Sequence, residues 1–219
     1  MATDRLRIYN GALLICEERT LSALTDNIEP RFLLDNVWND GGVDWCLERG
    51  QWRFAMRSAK FTYDPSVTPS WGLRYAFPKP TDWKETCAVC TDPYFNDPLR
   101  AYADEAGYWF SDLDTIYVKM VSNDANYGLD LSKWPYSFTE FVKAYFASRI
   151  CGKLGCSEAV QAKIIAPQKG VLAQNLLTAK NRDSMAGPTT FPARGSWVNS
   201  RAGRNRGWND GGNRGSLIG

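Results

Sequence analysis

The sequence predicts a mainly α protein with a β insertion, an α+β chain. About four helices form a bundle, a small antiparallel strand region lies between the second and third of them, and an extended tail closes the C-terminus. Three observations carry this. Apolar residues recur at helical spacing over residues 5–50 and again over 137–183. Between them, over about 51–134, the helical period fades, aromatic and β-branched residues alternate, and prolines punctuate at 65, 69, 78, 80, 93 and 98. After residue 186 the composition turns to glycine, arginine, asparagine and serine. Residues 1–186 therefore read as one domain and 187–219 as its appendage, within the 219 residues of the chain.

In the first helix Tyr9, Ala12, Leu13, Cys16 and Leu24 share a stripe, while Arg5, Arg7, Glu17, Glu18 and Arg19 fall largely off it. A second helix is expected to start near residue 27, with Asp26 or Asn27 capping its first amides, Glu29 in its first turn and Pro30 at an early position. Leu34, Trp38, Gly41 with Gly42, and Trp45 then step by three or four along one face. Each glycine inside a helix costs about 1 kcal/mol against alanine, so the pair predicts close helix packing or a kink. Trp52 and Phe54 end the stretch as further packing residues.

In the middle of the chain the expected strands are 53–63, 71–77, 84–91, 108–111 and 115–121, the last two joined as a hairpin by a turn at Asp112–Asp114. The segment 92–107 reads as a long loop. Helix returns at Ser137, which stands to Glu140 as in a capping box. Phe141, Tyr145, Ser148 and Cys151 line one face of it until Gly155 stops the run. Ser157 and Glu158 open another helix, which Pro167 is expected to kink or break on its way towards Arg182.

Chemistry is sparsely signalled. Histidine is absent, which removes the commonest general base and metal ligand. The acidic residues Asp97, Asp104, Glu105, Asp112, Asp114, Asp124 and Asp130 are scattered, and no spacing singles out an acid and a base. Phosphate-cradling glycine loops are missing. Cys87-x-x-Cys90 with Cys151 and Cys156 raises a metal or redox reading, but residues three apart on a strand point to opposite faces and the 151/156 spacing is unusual. Buried thiols are the expectation for these, and Cys16 and Cys46 read as core. No catalytic residue, cofactor or metal is expected. Nothing at the N-terminus resembles a signal peptide, and no apolar run approaches the roughly 20 residues of a membrane span. A soluble protein made in a reducing cytoplasm is expected.

Net charge is +2, from 26 lysines and arginines against 24 acidic residues. The tail holds Arg194, Arg201, Arg204, Arg206 and Arg214 against Asp210 alone, a local +4 that leaves the body at −2. With Trp197 and Trp208 as isolated apolar residues, this tail cannot bury enough surface to fold alone and is expected to order on a partner. Three readings compete for the tail: a flexible tail of no consequence, contact with nucleic acid through arginine and tryptophan, or docking of the same residues into a protein surface.

The chain resembles the head-to-tail adaptor proteins of short-tailed bacteriophages, the tail tubular protein A type. The matching positions are Asn10, Ala12, Leu13, Ser22, Leu24, Asp26, Trp38, Leu47, Trp52, Phe54 and Ala55, followed by Tyr75, Pro78, Pro80 and Asp82. The long 92–107 segment departs from the family pattern. The resemblance implies a structural virion protein and not an enzyme. Its copies, twelve in number, would form a ring that joins the portal protein to the tail nozzle (tail tubular protein B type), with tail fibres nearby. DNA would pass through the channel without specific binding, and no membrane would be involved. The protein would sit in the virion at the head-tail junction and in host cytoplasm during assembly. The resemblance also favours portal docking as the work of Arg194, Trp197, Arg201, Arg204, Arg206, Trp208 and Arg214. The alternative is a nucleic-acid-binding protein acting through the same tail.

Overall fold

A computed structural model of the chain describes residues 4–187. The chain divides into two units, Met1–Met185 and Ala186–Gly219, and every element below lies in the first. Among the described residues are six α-helices, α1 (Arg5–Ile15), α2 (Glu29–Asn39), α3 (Gly42–Leu47), α4 (Tyr136–Ile150), α5 (Glu158–Ile165) and α6 (Val171–Met185). Six strands lie between α3 and α4: β1 (Met56–Thr62), β2 (Tyr75–Pro78), β3 (Trp83–Cys90), β4 (Tyr102–Glu105), β5 (Tyr108–Ser111) and β6 (Thr115–Ser122).

This overturns the expected fold class of about four helices with a small strand region. The fold is mixed, with a substantial β portion built as two antiparallel three-stranded sheets, ordered β1-β6-β3 and β2-β5-β4. The extra helices arise where the sequence interrupts its own period. Gly41, at φ +82°, takes a left-handed conformation that ends α2 and starts α3 afresh. Pro167 falls in the break between α5 and α6.

The second helix also starts differently from expectation. Its N-cap is Ile28, which offers no side-chain acceptor, and Pro30 occupies the first turn. Asp26 instead accepts from the backbone N–H groups of Ser22 (2.7 Å) and Ala23 (3.1 Å), closing the turn between α1 and α2. Leu24 lies in that turn, 38% exposed, and not on the buried stripe. In α4 the expected capping box is absent. Pro135 is the N-cap, and Glu140 is paired with Lys143 (2.7 Å). Ser157 caps α5 by accepting from the Val160 N–H.

α4 is the axis of the helical part. Phe138, Phe141, Val142, Ala144, Phe146, Ala147 and Ile150 are all buried, so the helix is apolar nearly all round, as a central helix must be. α1, α2, α3, α5 and α6 each pack on it. Gly11 lets α1 come close: an added Cβ there would stand 2.4 Å from Lys143 Cδ.

The two sheets enclose a second core of Phe77 and Trp109 from one and Val89, Ile116, Val118 and Met120 from the other. Ile116, Val118 and Met120 alternate along β6, while Val121 at its end joins the helical core. The predicted β5–β6 hairpin does not form: β5 pairs with β2 and β4, and β6 with β1 and β3. The tight hairpin is β4–β5, whose two turn residues, Ala106 (φ +48°) and Gly107 (φ +82°), both have the positive φ that a two-residue turn of this kind requires. β4 therefore lies in what reads from sequence as a loop.

Candidate functional site

The aromatic residues assigned to packing meet on α4. Trp38 stands edge-on to Tyr9 (6.2 Å) and Phe146 (6.0 Å), and Trp45 stacks on Tyr145 at 4.1 Å and 12°. Trp52 meets Phe138 edge-on at 4.9 Å and lies 6.2 Å from Phe141, while Phe54 lies 4.7 Å from Phe138. Gly42 permits the α2–α3 corner to seat here. A Cβ on it would stand 2.6 Å from the Val37 carbonyl oxygen and 3.3 Å from Phe146. Arg194, Trp197, Arg201, Arg204, Arg206, Trp208 and Arg214 lie outside the described residues.

The positions that carry the adaptor resemblance have identifiable structural work. Asn10 clamps the chain after α1 by donating to the Leu21 carbonyl (3.0 Å) and accepting from its N–H (2.8 Å). Ala12, Leu13, Leu47, Trp52 and Ala55 are buried in the helical core. Asp82 ties the β portion together, accepting from Arg57 Nη1 on β1 (2.7 Å) and from Ser122 Oγ on β6. Burial opposes the Asp82 charge, but these two donors outweigh it and hold the carboxyl below the usual aspartate range.

The scattered acidic residues serve turns. Asp92 accepts from the N–H groups of Tyr94, Asn96 and Asp97, Asp124 from that of Asn126, and Asp130 from that of Ser132. Asp104 pairs with Lys79 and accepts from Thr86 Oγ1, which itself accepts from the indoles of Trp83 and Trp109 (3.0 Å each). A shallow cleft runs between Gln51–Arg53 and the last turns of α6. There the Arg53 N–H donates to Asp183 Oδ1 (2.9 Å), and Ser184 Oγ is turned back onto the Lys180 carbonyl (2.9 Å). That cleft holds no paired nucleophile and base.

Exposed apolar side chains of the helical part include Leu14 on α1 and Tyr136 on α4, and two further groups. Ile28 and Phe32, one helical turn apart, are 43% and 45% exposed at the start of α2. Leu24 joins them through Arg31, which donates to its carbonyl and lays its guanidinium 4.2 Å from the Phe32 ring centre. On α5 and α6, Ile165 and Leu177 are 56% and 57% exposed, and Met185 is more so. α2 and α6 each pack on α4.

Sequence reasoning missed one convergence. Cys16 follows α1, Cys151 follows α4 and Cys156 precedes the α5 cap, and their three sulfurs lie within 4.8 Å of one another. Cys16 and Cys151 are buried and Cys156 half-buried, and all are free thiols. Cys16 Sγ donates to the Ala147 carbonyl and Cys156 Sγ to the Cys16 carbonyl, each at 3.6 Å. Burial, and then the two neighbouring thiols, push the Cys16 thiol well up. Burial with the Cys156 hydrogen bond pushes Cys151 to about 11. Cys87 and Cys90 stand apart from this group on β3, the first packed towards the helical core and the second buried.

No protein-family model matches this chain, and a search of curated proteins finds no match. Among the described residues no helix is long and apolar enough to cross a membrane.

Proposed function

We propose that this chain is a head-to-tail adaptor of a short-tailed bacteriophage. Its copies, twelve to match a twelve-fold portal, close into a ring between portal and tail nozzle and surround the channel through which DNA leaves the capsid. The activity is assembly and not turnover.

One observation supports the ring: two different groups of exposed apolar side chains belong to separate elements packed on the central helix, Leu24, Ile28 and Phe32 at and before the start of α2 and Ile165 and Leu177 on α5 and α6. A head-to-tail contact between identical subunits requires two unlike patches, each meeting the other on the next copy, and a rotation that closes makes a ring. Burying a side chain such as Phe32 or Leu177 fully is worth about 1.5–3 kcal/mol, so one contact is weak. Repetition around a closed ring makes the joint tight. The resemblance assigns the arginine and tryptophan tail to the portal, where ordering it costs entropy that the docked side chains must offset.

The experiment is a mixing test with Phe32→Asp and Leu177→Asp. Each variant alone should fail to close into rings under conditions in which the unaltered chain forms them with the portal. Mixed together, they should form dimers and no rings, because the intact Leu177 face of the first variant meets the intact Phe32 face of the second while the outer faces are both spoiled. Rings from either variant alone would refute this placement of the interface.

A further inference from the structure

We propose that Cys16, Cys151 and Cys156 form a binding site for a single thiophilic d10 cation, zinc being the ion to test, held by three thiolates with a water in the fourth position. Three sulfurs from two segments, the end of α1 and the α4–α5 connection, with Cys16 and Cys156 140 residues apart, converge within 4.8 Å. Zinc–sulfur bonds of about 2.3 Å at tetrahedral angles place sulfurs about 3.8 Å apart. Closure of the site thus requires side-chain movements on the order of 1 Å and no rearrangement of the fold.

Cys16 is the C-cap of α1 and Cys151 the C-cap of α4, so both thiols are held at the ends of packed helices. Cys156 is half-buried and gives access from solvent, while Cys16 and Cys151 are buried. With sulfur as the whole protein donor set, soft ions are preferred over magnesium or calcium. Binding balances as one zinc ion plus three thiols plus one water, giving a zinc tris-thiolate aquo centre of net charge −1 and three released protons. The bound ion would staple the end of α1 to the α4–α5 connection. Two hydrogen bonds, Cys16 to Ala147 and Cys156 to Cys16, now join the same segments.

The test uses the full chain, purified under reductant, stripped of metal and titrated with zinc and separately with cobalt(II) as a spectroscopic probe. The expected results are one equivalent bound, thiolate-to-cobalt charge-transfer absorption with the visible bands of a tetrahedral ion, and a higher melting temperature with zinc. Cys156→Ser should weaken binding roughly tenfold or more with its metal-free melting temperature little changed, since that side chain is half-buried. Cys87→Ala should bind as the unaltered chain does. Absence of cobalt absorption in a folded protein with all six thiols reduced would overturn the proposal and leave buried thiols only. Binding that survives Cys156→Ser but not Cys87→Ala would place the ion at the β3 pair and equally overturn it. A disulfide within the trio in protein purified from a reducing cytoplasm would make it a redox pair and refute the metal site.

Discussion

Replacing Trp52 should cost more than any exposed aromatic, in two separable steps. The indole is 1% exposed and sits where the helical part hands the chain to β1, with Phe54, Phe138 and Phe141 around it. Its Nε1–H donates to the Cys46 carbonyl at the end of α3 (3.0 Å). Trp52→Phe keeps most of the ring contact but removes the indole hydrogen bond and leaves that carbonyl to backbone donors such as the Arg49 N–H (3.4 Å), a loss of about 0.5–1.5 kcal/mol. Trp52→Ala adds a cavity and should cost about 3–5 kcal/mol in all. Trp71, 44% exposed against Phe110, is the control, and Trp71→Ala should cost less than about 1 kcal/mol. Urea unfolding followed by circular dichroism gives the midpoints, with unchanged slopes certifying that stability alone has moved. If Trp52→Ala costs no more than Trp71→Ala, Trp52 does not anchor the junction. If Trp52→Phe is neutral, the hydrogen bond to Cys46 contributes nothing.

Two further outcomes concern the corner and the β portion. Gly42→Ala should destabilise by about 1–3 kcal/mol through overpacking, because its methyl meets the Val37 carbonyl and Phe146, whereas Gly72→Ala, with open space around it, should be near neutral in the same unfolding assay. Asp82 has a folded-state pKa below its unfolded one, so its contribution is present above the unfolded value of about 3.9 and is lost as pH falls through the lowered folded value. Asp82→Asn should therefore cost about 1–2 kcal/mol near neutral pH, a figure discounted for the partly exposed Arg57. Thermal melts should find the unaltered protein and the Asp82→Asn variant converging in strong acid; a constant gap down to about pH 2 would contradict the assignment.

Legibility in the sequence follows the range of the interaction. The Ser157 cap, the Pro167 break and the Gly41–Gly42 interruption are local, written in residues that force a backbone conformation, and they stand in the structure where their chemistry puts them. Strand segments are readable from alternation, as along Ile116, Val118 and Met120, but their partners are not. Asp112–Asp114 is a turn, yet β5 and β6 leave it for different sheets, because pairing is decided by the Trp109 and Phe77 core. β4 is hidden by its charge: Asp104 and Glu105 look like loop residues until Ala106 and Gly107 are seen turning the chain back. Capping is misread at Asp26 and Ser137, where a suitable side chain finds or needs no helix end. The cysteine trio is beyond reach for the same reason as the strand partners. Its members are ordinary apolar-face residues in sequence, and only the packing of α1 and α5 beside α4 brings them together.

The central claim is that the chain becomes a ring on a portal. Its most direct test is the mass, by light scattering, of the full-length protein alone and mixed with the portal of its own phage, beside a version ending at Ala186. The account predicts a joint assembly on the megadalton scale with full-length protein, and loss or weakening of it on truncation. A full-length protein that ignores the portal yet binds DNA in a salt-sensitive way through residues 187–219 would contradict the account and make the tail a nucleic-acid arm.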